Sequence, residues 1–311
     1  MFKLSIIIPT HNRFTILKRC LEALENQEFP KHDYEVIVVD DGSSDDTQEH
    51  GKSLLSSFRF KGQYFRQEAG GPGRARNKGI QEARGDIILM IGDDIFAAPN
   101  FLIQHWNAQK LSSLENHLVI GKVEWDPSLN ITPFMSYLEN GIQFSFHTLN
   151  NDTVDYRHCY TANLSIKNSF LKEKQIFFSK ELPFAAYEDI EWGYRLMQAG
   201  ALFRYVPEAL GFHHHPVTFE SYKKRMVLAG RAYAHLQRLH PDLAKALSSK
   251  PKNAMTFFKH AFKGKTREFI LNRPRFHKTL KTIGIGKSEE KWVKSILGYY
   301  QELGYRQQMH E

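Results

Sequence analysis

The chain has 311 residues, 41% hydrophobic and 24% charged, enough for one large α/β domain with an appended segment or for two small domains, and this composition argues against collagen, coiled coil and wholesale disorder. The net charge of +8 is uneven: residues 217–311 hold 20 Lys and Arg against 7 Asp and Glu, and the rest hold 22 against 27. Two cysteines, Cys20 and Cys159, argue against a disulfide scaffold and for a reducing compartment, and the lack of both a long apolar run and a leader-like N-terminus gives the expectation of a cytoplasmic, non-spanning protein.

Ser5–Ile8 is an apolar run closed by Pro9 and reads as a buried strand. Leu17, Cys20, Leu21 and Leu24 recur at helical spacing, which predicts a helix over about 13–26. Val36–Val39 is a second buried strand, ending in Asp40-Asp41-Gly42. Ser44 or Asp45 caps the next helix, with Leu54, Leu55 and Phe58 on its apolar side. Gln63–Phe65 reads as a third strand, Gly70–Gly73 as a loop and Arg74–Arg84 as a helix. Ile87–Ile91 is a fourth strand, ending in Gly92-Asp93-Asp94. Such alternation predicts parallel pairing in a sheet covered on both faces.

From Glu124 to Arg157 the pattern loosens. Trp125, Phe134, Tyr137, Phe144, Phe146 and Tyr156 are scattered among Asn and Asp, as in a substrate-facing insertion or a loop packed on the sheet. Cys159–Ile166 reads as a strand followed by a short helix, and Glu188–Ala199 as a helix ended by Gly200. Tyr205–Pro207 and Leu210–His215 read as a pair of short strands. Beyond Val217 two stripes are helical: Tyr222, Met226, Ala229, Tyr233 and Leu236, then Trp292, Ile296, Tyr299 and Leu303. The expected division is a catalytic domain over 1–216 and a basic, mainly helical region over 217–311. That basic region is either a solvated face or a surface attracted to an anionic membrane or another polyanion.

Three strands end in polar chemistry: Pro9-Thr10-His11-Asn12, Asp40-Asp41 and Asp93-Asp94. In open α/β sheets ligands collect at the carboxyl ends of the strands. Adjacent carboxylates repel unless a cation sits near them, and Asp oxygens suit Mg²⁺ or Mn²⁺. Each pair also has a plainer reading, as a solvated turn. Glu188-Asp189 opens a helix, where acids also stabilise the helix dipole. Glu191 and Arg195, four apart on that helix, read as a plain ion pair. In a strand His213 and His215 share a face, and either can supply a metal ligand or a phosphate contact. Arg74 and Arg76 follow the glycine-rich loop and can approach an anion.

Taken together, Ile6–Arg13, Val38–Asp45, Gly73–Ile80, Gly85–Ile88, Gly92–Asp94, Asn163–Ser165 and Glu188–Leu196 resemble the inverting family 2 glycosyltransferases, over about residues 3–230. The resemblance implies a GT-A fold: a Rossmann-like α/β domain with a mixed, mostly parallel sheet flanked by helices. It implies a nucleotide-sugar donor, a divalent metal (Mg²⁺ or Mn²⁺) and a glycan or lipid-linked acceptor, often handled at the cytoplasmic membrane face. Pro9, His11 and Asp40 then hold the nucleobase side, with Thr10, Asn12, Asp41 and Arg76 completing the donor site. Asp93 faces the ribose, Asp94 binds the metal bridging the diphosphate, with His213 and His215 as candidate further ligands, and one of the three histidines His213, His214 and His215 lies beside the diphosphate. Asp189 is the catalytic base and Glu188 its neighbour. Gly92 departs from the pattern, because many members carry Asp there.

Two rival readings are a sugar nucleotidyltransferase and a non-catalytic nucleotide-sugar-binding protein. The first expects a basic, glycine-rich loop after the first strand, where this chain has Pro9–Arg13 without glycine. The second would tolerate loss of Asp94 and Asp189, and both are present. A nucleic-acid partner would account for the basic tail but not for the acidic strand ends, which repel phosphates without a metal, so none is expected.

Overall fold

The computed structural model describes residues 2–112, 114–142, 145–247 and 287–309. Phe144, the side chain of Trp292 and the basic stretch 248–286 lie outside what it describes. The strands among the described residues are β1 (Leu4–Thr10), β2 (Tyr34–Asp41), β3 (Lys61–Gln67), β4 (Ile87–Ile91), β5 (Ile95–Ala97), β6 (His117–Trp125), β7 (Asn163–Lys167) and β8 (Leu202–His213). They form one sheet in the order β3-β2-β1-β4-β7-β6-β8-β5.

β1 to β4 are mutually parallel, as the strand–helix alternation predicts. The crossovers run through α1 (Phe14–Glu25), α2 (Asp46–Ser56) and α3 (Pro72–Glu82). The Ile and Val runs of β1, β2 and β4 are buried along their length, because helices cover both faces of a parallel sheet. α1 buries Leu17, Cys20, Leu21 and Leu24. The Asp45 carboxylate caps α2 by accepting from the Thr47 N–H at 3.0 Å. α3 starts two residues before the expected position, at Pro72, whose fixed φ suits a first helical turn.

β7 runs antiparallel to both β4 and β6, and β5 antiparallel to β8, so the sheet is mixed. Cys159 and Tyr160 are irregular and Thr161 and Ala162 form a turn, so β7 is shorter than the sequence suggests. The two short strands expected near the histidines are one strand, β8. Its register against β6 jumps from Gly121↔Val206 to Lys122↔Leu210, so Pro207–Ala209 form a bulge and the ladder resumes beyond it. Asn163 braces this irregularity: its amide donates to the carbonyls of Lys122 (2.9 Å) and Ala209 (2.8 Å) and accepts from His105 (2.7 Å). The remaining helices are α4 (Phe101–Lys110), α5 (Pro133–Tyr137), α6 (Asn168–Lys174), α7 (Glu188–Gln198), α8 (Phe219–Leu239), α9 (Pro241–Leu247) and α10 (Lys287–Met309).

The chain falls into two compact units. The first comprises Met1–Leu129, Phe146–Pro183 and Glu188–His215; the second comprises Asn130–Ser145, Phe184–Tyr187 and Pro216–Glu311. The first contains the sheet. In the second, α8 and α10 cross where each carries a glycine: a Cβ at Gly230 would overlap the Gln301 carbonyl, and one at Gly304 the Val227 carbonyl. Of the two stripes, Tyr222, Ala229, Leu236, Ile296 and Tyr299 are buried, and Met226, Tyr233 and Leu303 are half-buried. Phe134 on α5 meets Phe219 and Tyr222 edge-on, at 5.4 and 5.8 Å between ring centroids. Among the described residues no helix is long and apolar enough to cross a membrane. Both cysteines are buried and free.

Candidate active site

The register of β1 and β2 sets Thr10 beside Asp40, so both strand ends open on one edge. Asn12 takes a left-handed φ of 54°, which Asn tolerates, and turns the chain from β1 into α1. Its N–H donates to Ser43 Oγ (2.9 Å) and its side-chain oxygen accepts from the Ser44 N–H (2.7 Å). His11 Nδ1 lies 2.9 Å from the Asp41 carbonyl and so is the donor there; Nε2 accepts from the Asn12 amide at 3.0 Å. Pro9 is half-buried, while His11 and Asn12 face solvent at this edge.

Asp40 and Asp41 hold loops in place. Asp40 is wholly buried and accepts from the Ser43 N–H (2.8 Å) and the Tyr64 hydroxyl (2.7 Å). Asp41 accepts from Gln67 (2.7 Å) and from the N–H groups of Gly70 (3.0 Å) and Gly71 (2.8 Å). Gly71 has φ 87° and lies against the Pro183 carbonyl, so only glycine fits there.

The Asp93-Asp94 pair forms the turn between β4 and β5. Thr10 Oγ1 donates to Asp93 at 2.8 Å, and one Arg13 nitrogen bridges Asp93 (2.9 Å) and Asp94 (2.6 Å). Burial and the charge of Asp94 push the Asp93 carboxyl up, against Arg13 and Thr10. Burial also opposes ionisation of Asp94, but His213 and then Arg13 work against it, and Asp94 is held well below the usual carboxylate range. A Cβ at Gly92 would come 2.7 Å from Asp94 Oδ1. A side chain at position 92 would therefore oblige the Asp94 carboxylate to shift.

β5 pairs with β8 so that Ile95 faces His213. His213 Nε2 and His215 Nδ1 each lie 3.3 Å from Asp94 Oδ2. The two rings stack at 5.4 Å, and Trp125 at the end of β6 stacks on His213 at 5.3 Å. Asp94, His213 and His215 offer one ligand atom each, all within 4.8 Å of one another. His214 is engaged by other partners, Asp126 at 2.6 Å and Arg19 at 3.1 Å. The Asp126 N–H also donates to the His213 carbonyl at 3.1 Å, so this residue clamps the histidine run. The sequence reading missed Arg13, Asp126 and the stack of Trp125 on His213. Their only local signal is position at the ends of β1 and β6.

The Glu188-Asp189 pair opens α7. Arg76, on α3, donates to Glu188 at 3.3 Å; both are buried, and Arg76 Nε finds no partner among the described residues. α3 is fastened to the chain before α7 by reciprocal bonds between Asn77 and the Phe178 backbone, at 2.9 and 2.8 Å. Asp189 is half-buried, its Oδ1 accepting from the Ile190 N–H at 2.9 Å. Burial pushes the nearby Cys159 thiol up, and the charge of Asp189 adds to that. Glu191 and Arg195 form the expected i,i+4 ion pair at 2.6 Å.

A family model described as Glycosyl transferase family 2 matches residues 5–173. The chain belongs to glycosyl transferase family 2. Among family relatives, the poly(ribitol-phosphate) beta-glucosyltransferase of Bacillus spizizenii is 30% identical over 183 residues, 57% of this chain and 27% of that protein. The GalNAc(5)-diNAcBac-PP-undecaprenol beta-1,3-glucosyltransferase of Campylobacter jejuni is 37% identical over 102 residues, 30% of each chain. The chain thus covers less than a third of the length of either relative. A solved structure of the mannosyltransferase PcManGT from Pyrobaculum calidifontis, in complex with GDP-Man and Mn²⁺, matches with a TM-score of 0.64 at 17% identity, over 99% of this chain and 87% of that one. That likeness establishes the GT-A fold expected of the family.

Proposed function

We propose that this chain moves a sugar from a nucleotide-sugar donor to a hydroxyl of a glycan or lipid-linked acceptor, inverting the anomeric centre. The observation that carries the reading is the convergence of Asp94, His213 and His215 beside Asp93 and Thr10, at the carboxyl ends of the strands. Family membership and the transferase relatives support it.

Half-buried Pro9 and exposed His11 and Asn12 form the rim where the nucleobase rests, on loops held by Asp40 and Asp41. Arg76 backs the donor site from α3, and Asp93 faces the ribose. The set of one carboxylate oxygen and two imidazole nitrogens fits a divalent ion, and imidazole favours Mn²⁺ over Mg²⁺, which prefers oxygen shells. When bound there, such an ion would neutralise the charge that departs with the nucleoside diphosphate. Asp189 is the base: it takes the proton of the acceptor hydroxyl while that oxygen bonds to the anomeric carbon and the carbon–phosphate-oxygen bond breaks on the opposite face. Glu188 is less well placed, because it is buried and already accepts from Arg76. A screen of nucleotide-sugars should find one donor that raises the melting temperature and is turned over, with the product of opposite anomeric configuration by NMR. Retention of configuration, or no donor bound, would remove the proposal.

The basic C-terminal region carries a separate proposal, that charge draws the protein to an anionic membrane surface. Tyr222, Ala229, Leu236, Ile296 and Tyr299 are buried, so the proposed contact is made by charge, through exposed residues such as Lys224, Arg225 and Lys294. The protein should co-sediment with anionic but not neutral vesicles at low salt. It should come off by on the order of 0.5 M salt, where the screening length is only a few Å. Protein that stays in the supernatant at low salt has no such surface.

A further inference from the structure

Arg13 stands out among the residues around the acidic pair. It opens α1 without making a side-chain capping bond, so the helix does not require it. Its guanidinium instead reaches across the sheet edge to three groups: Asp93 Oδ1 (2.9 Å), Asp94 Oδ2 (2.6 Å) and His215 Nδ1 (3.0 Å). Arginine has only donors, so His215 Nδ1 receives this bond and carries a lone pair rather than a proton. The 3.3 Å approach of that nitrogen to Asp94 Oδ2 is therefore a meeting of two acceptors. Two acceptors come so close when a cation sits against both, and here the cation is Arg13. The same two residues belong to the three-residue set that can hold a metal ion. A divalent ion needs the lone pairs that Arg13 now occupies.

We propose that Arg13 is the resident counter-ion of this site, competing with the divalent ion for Asp94 and His215 and thereby coupling metal binding to diphosphate binding. The inference rests on the metal-assisted reading above. Without an ion, Arg13 offsets the repulsion between two buried carboxylates. Once the ion arrives, the guanidinium loses two acceptors and needs another anion. Its planar fork suits phosphate oxygens, so a nucleoside diphosphate supplies the replacement. The ion alone then binds weakly, and ion plus diphosphate bind together.

The test is Mn²⁺ binding, measured by electron paramagnetic resonance and calorimetry, with and without UDP or GDP, on full-length protein. Arg13→Gln should bind Mn²⁺ alone about three- to tenfold more tightly than wild type, because a competing charge is gone. It should also lose most of the mutual enhancement between Mn²⁺ and nucleotide, since a coupling is reciprocal. Arg13→Lys, which keeps the charge but not the fork, should fall between the two. The circular dichroism spectra should match wild type. Mn²⁺ affinity unchanged or weakened in both variants, with wild type binding normally, overturns the role of Arg13 and leaves the metal reading intact. Wild type that binds no Mn²⁺ under any of these conditions overturns the metal reading and this proposal with it.

Discussion

Asp189→Asn should lower sugar transfer by roughly 10²–10⁴-fold while nucleotide-sugar binding stays within a few-fold of wild type. Asn keeps the size of the side chain, and its amide oxygen can still accept from the Ile190 N–H, so the first turn of α7 survives. What disappears is the ability to take a proton. The loss should fall on kcat, because a base acts on the acceptor hydroxyl and not on the donor. Glu188→Gln provides the contrast. It removes the counter-charge of a buried arginine, and a broken buried pair costs stability. Its defect should therefore include a lower melting temperature, which Asp189→Asn should not show. Transfer by Asp189→Asn at the wild-type rate would move the base elsewhere.

Chelation should abolish transfer, and Mn²⁺ should restore it better than Mg²⁺. The reason is the ligand set: two of its three members are imidazoles, and the position where many family members carry another acid is Gly92. Asp94→Ala should weaken donor binding and cut transfer by roughly 10²-fold or more, since metal neutralisation of phosphate charge is worth several kcal/mol. Added Mn²⁺ should not rescue it, because the remaining His213 and His215 supply no negative charge. Full activity in excess EDTA would take the metal out of the mechanism.

The first half of the sheet was legible because its information is local. Ile and Val runs closed by Pro9 or Asp40-Asp41 carry both strand and boundary, and Asp45 and Pro72 mark helix starts. The acidic strand ends were legible for the same reason. What escaped lies in pairings across long stretches of chain. Arg13 reaches residues 80 to 202 positions away, and Asp126 meets His214 across 88. No local pattern encodes such contacts. β8 was misread as two strands because Pro207 is a strand breaker in sequence and a bulge residue in the folded ladder. Asn163, one of the residues carrying the family resemblance, turns out to brace the β6–β8 irregularity, a structural duty that its sequence context does not announce.

That irregularity has a consequence for how the histidine run is used. Side chains along a strand alternate between faces, so parity decides which histidines turn toward Asp94. The bulge at Pro207–Ala209 lies upstream of the run and sets that parity relative to β6. The odd-numbered pair meets the acid and the middle ring meets Asp126. A single residue gained or lost in the bulge would exchange the two roles, giving one imidazole to Asp94 in place of two. A change of two residues would restore the present phase. The number of imidazoles that meet Asp94 is thus decided several residues before the first histidine, and homologues with the same His-His-His run but a bulge longer or shorter by one residue would present one ring to the acid where this chain presents two.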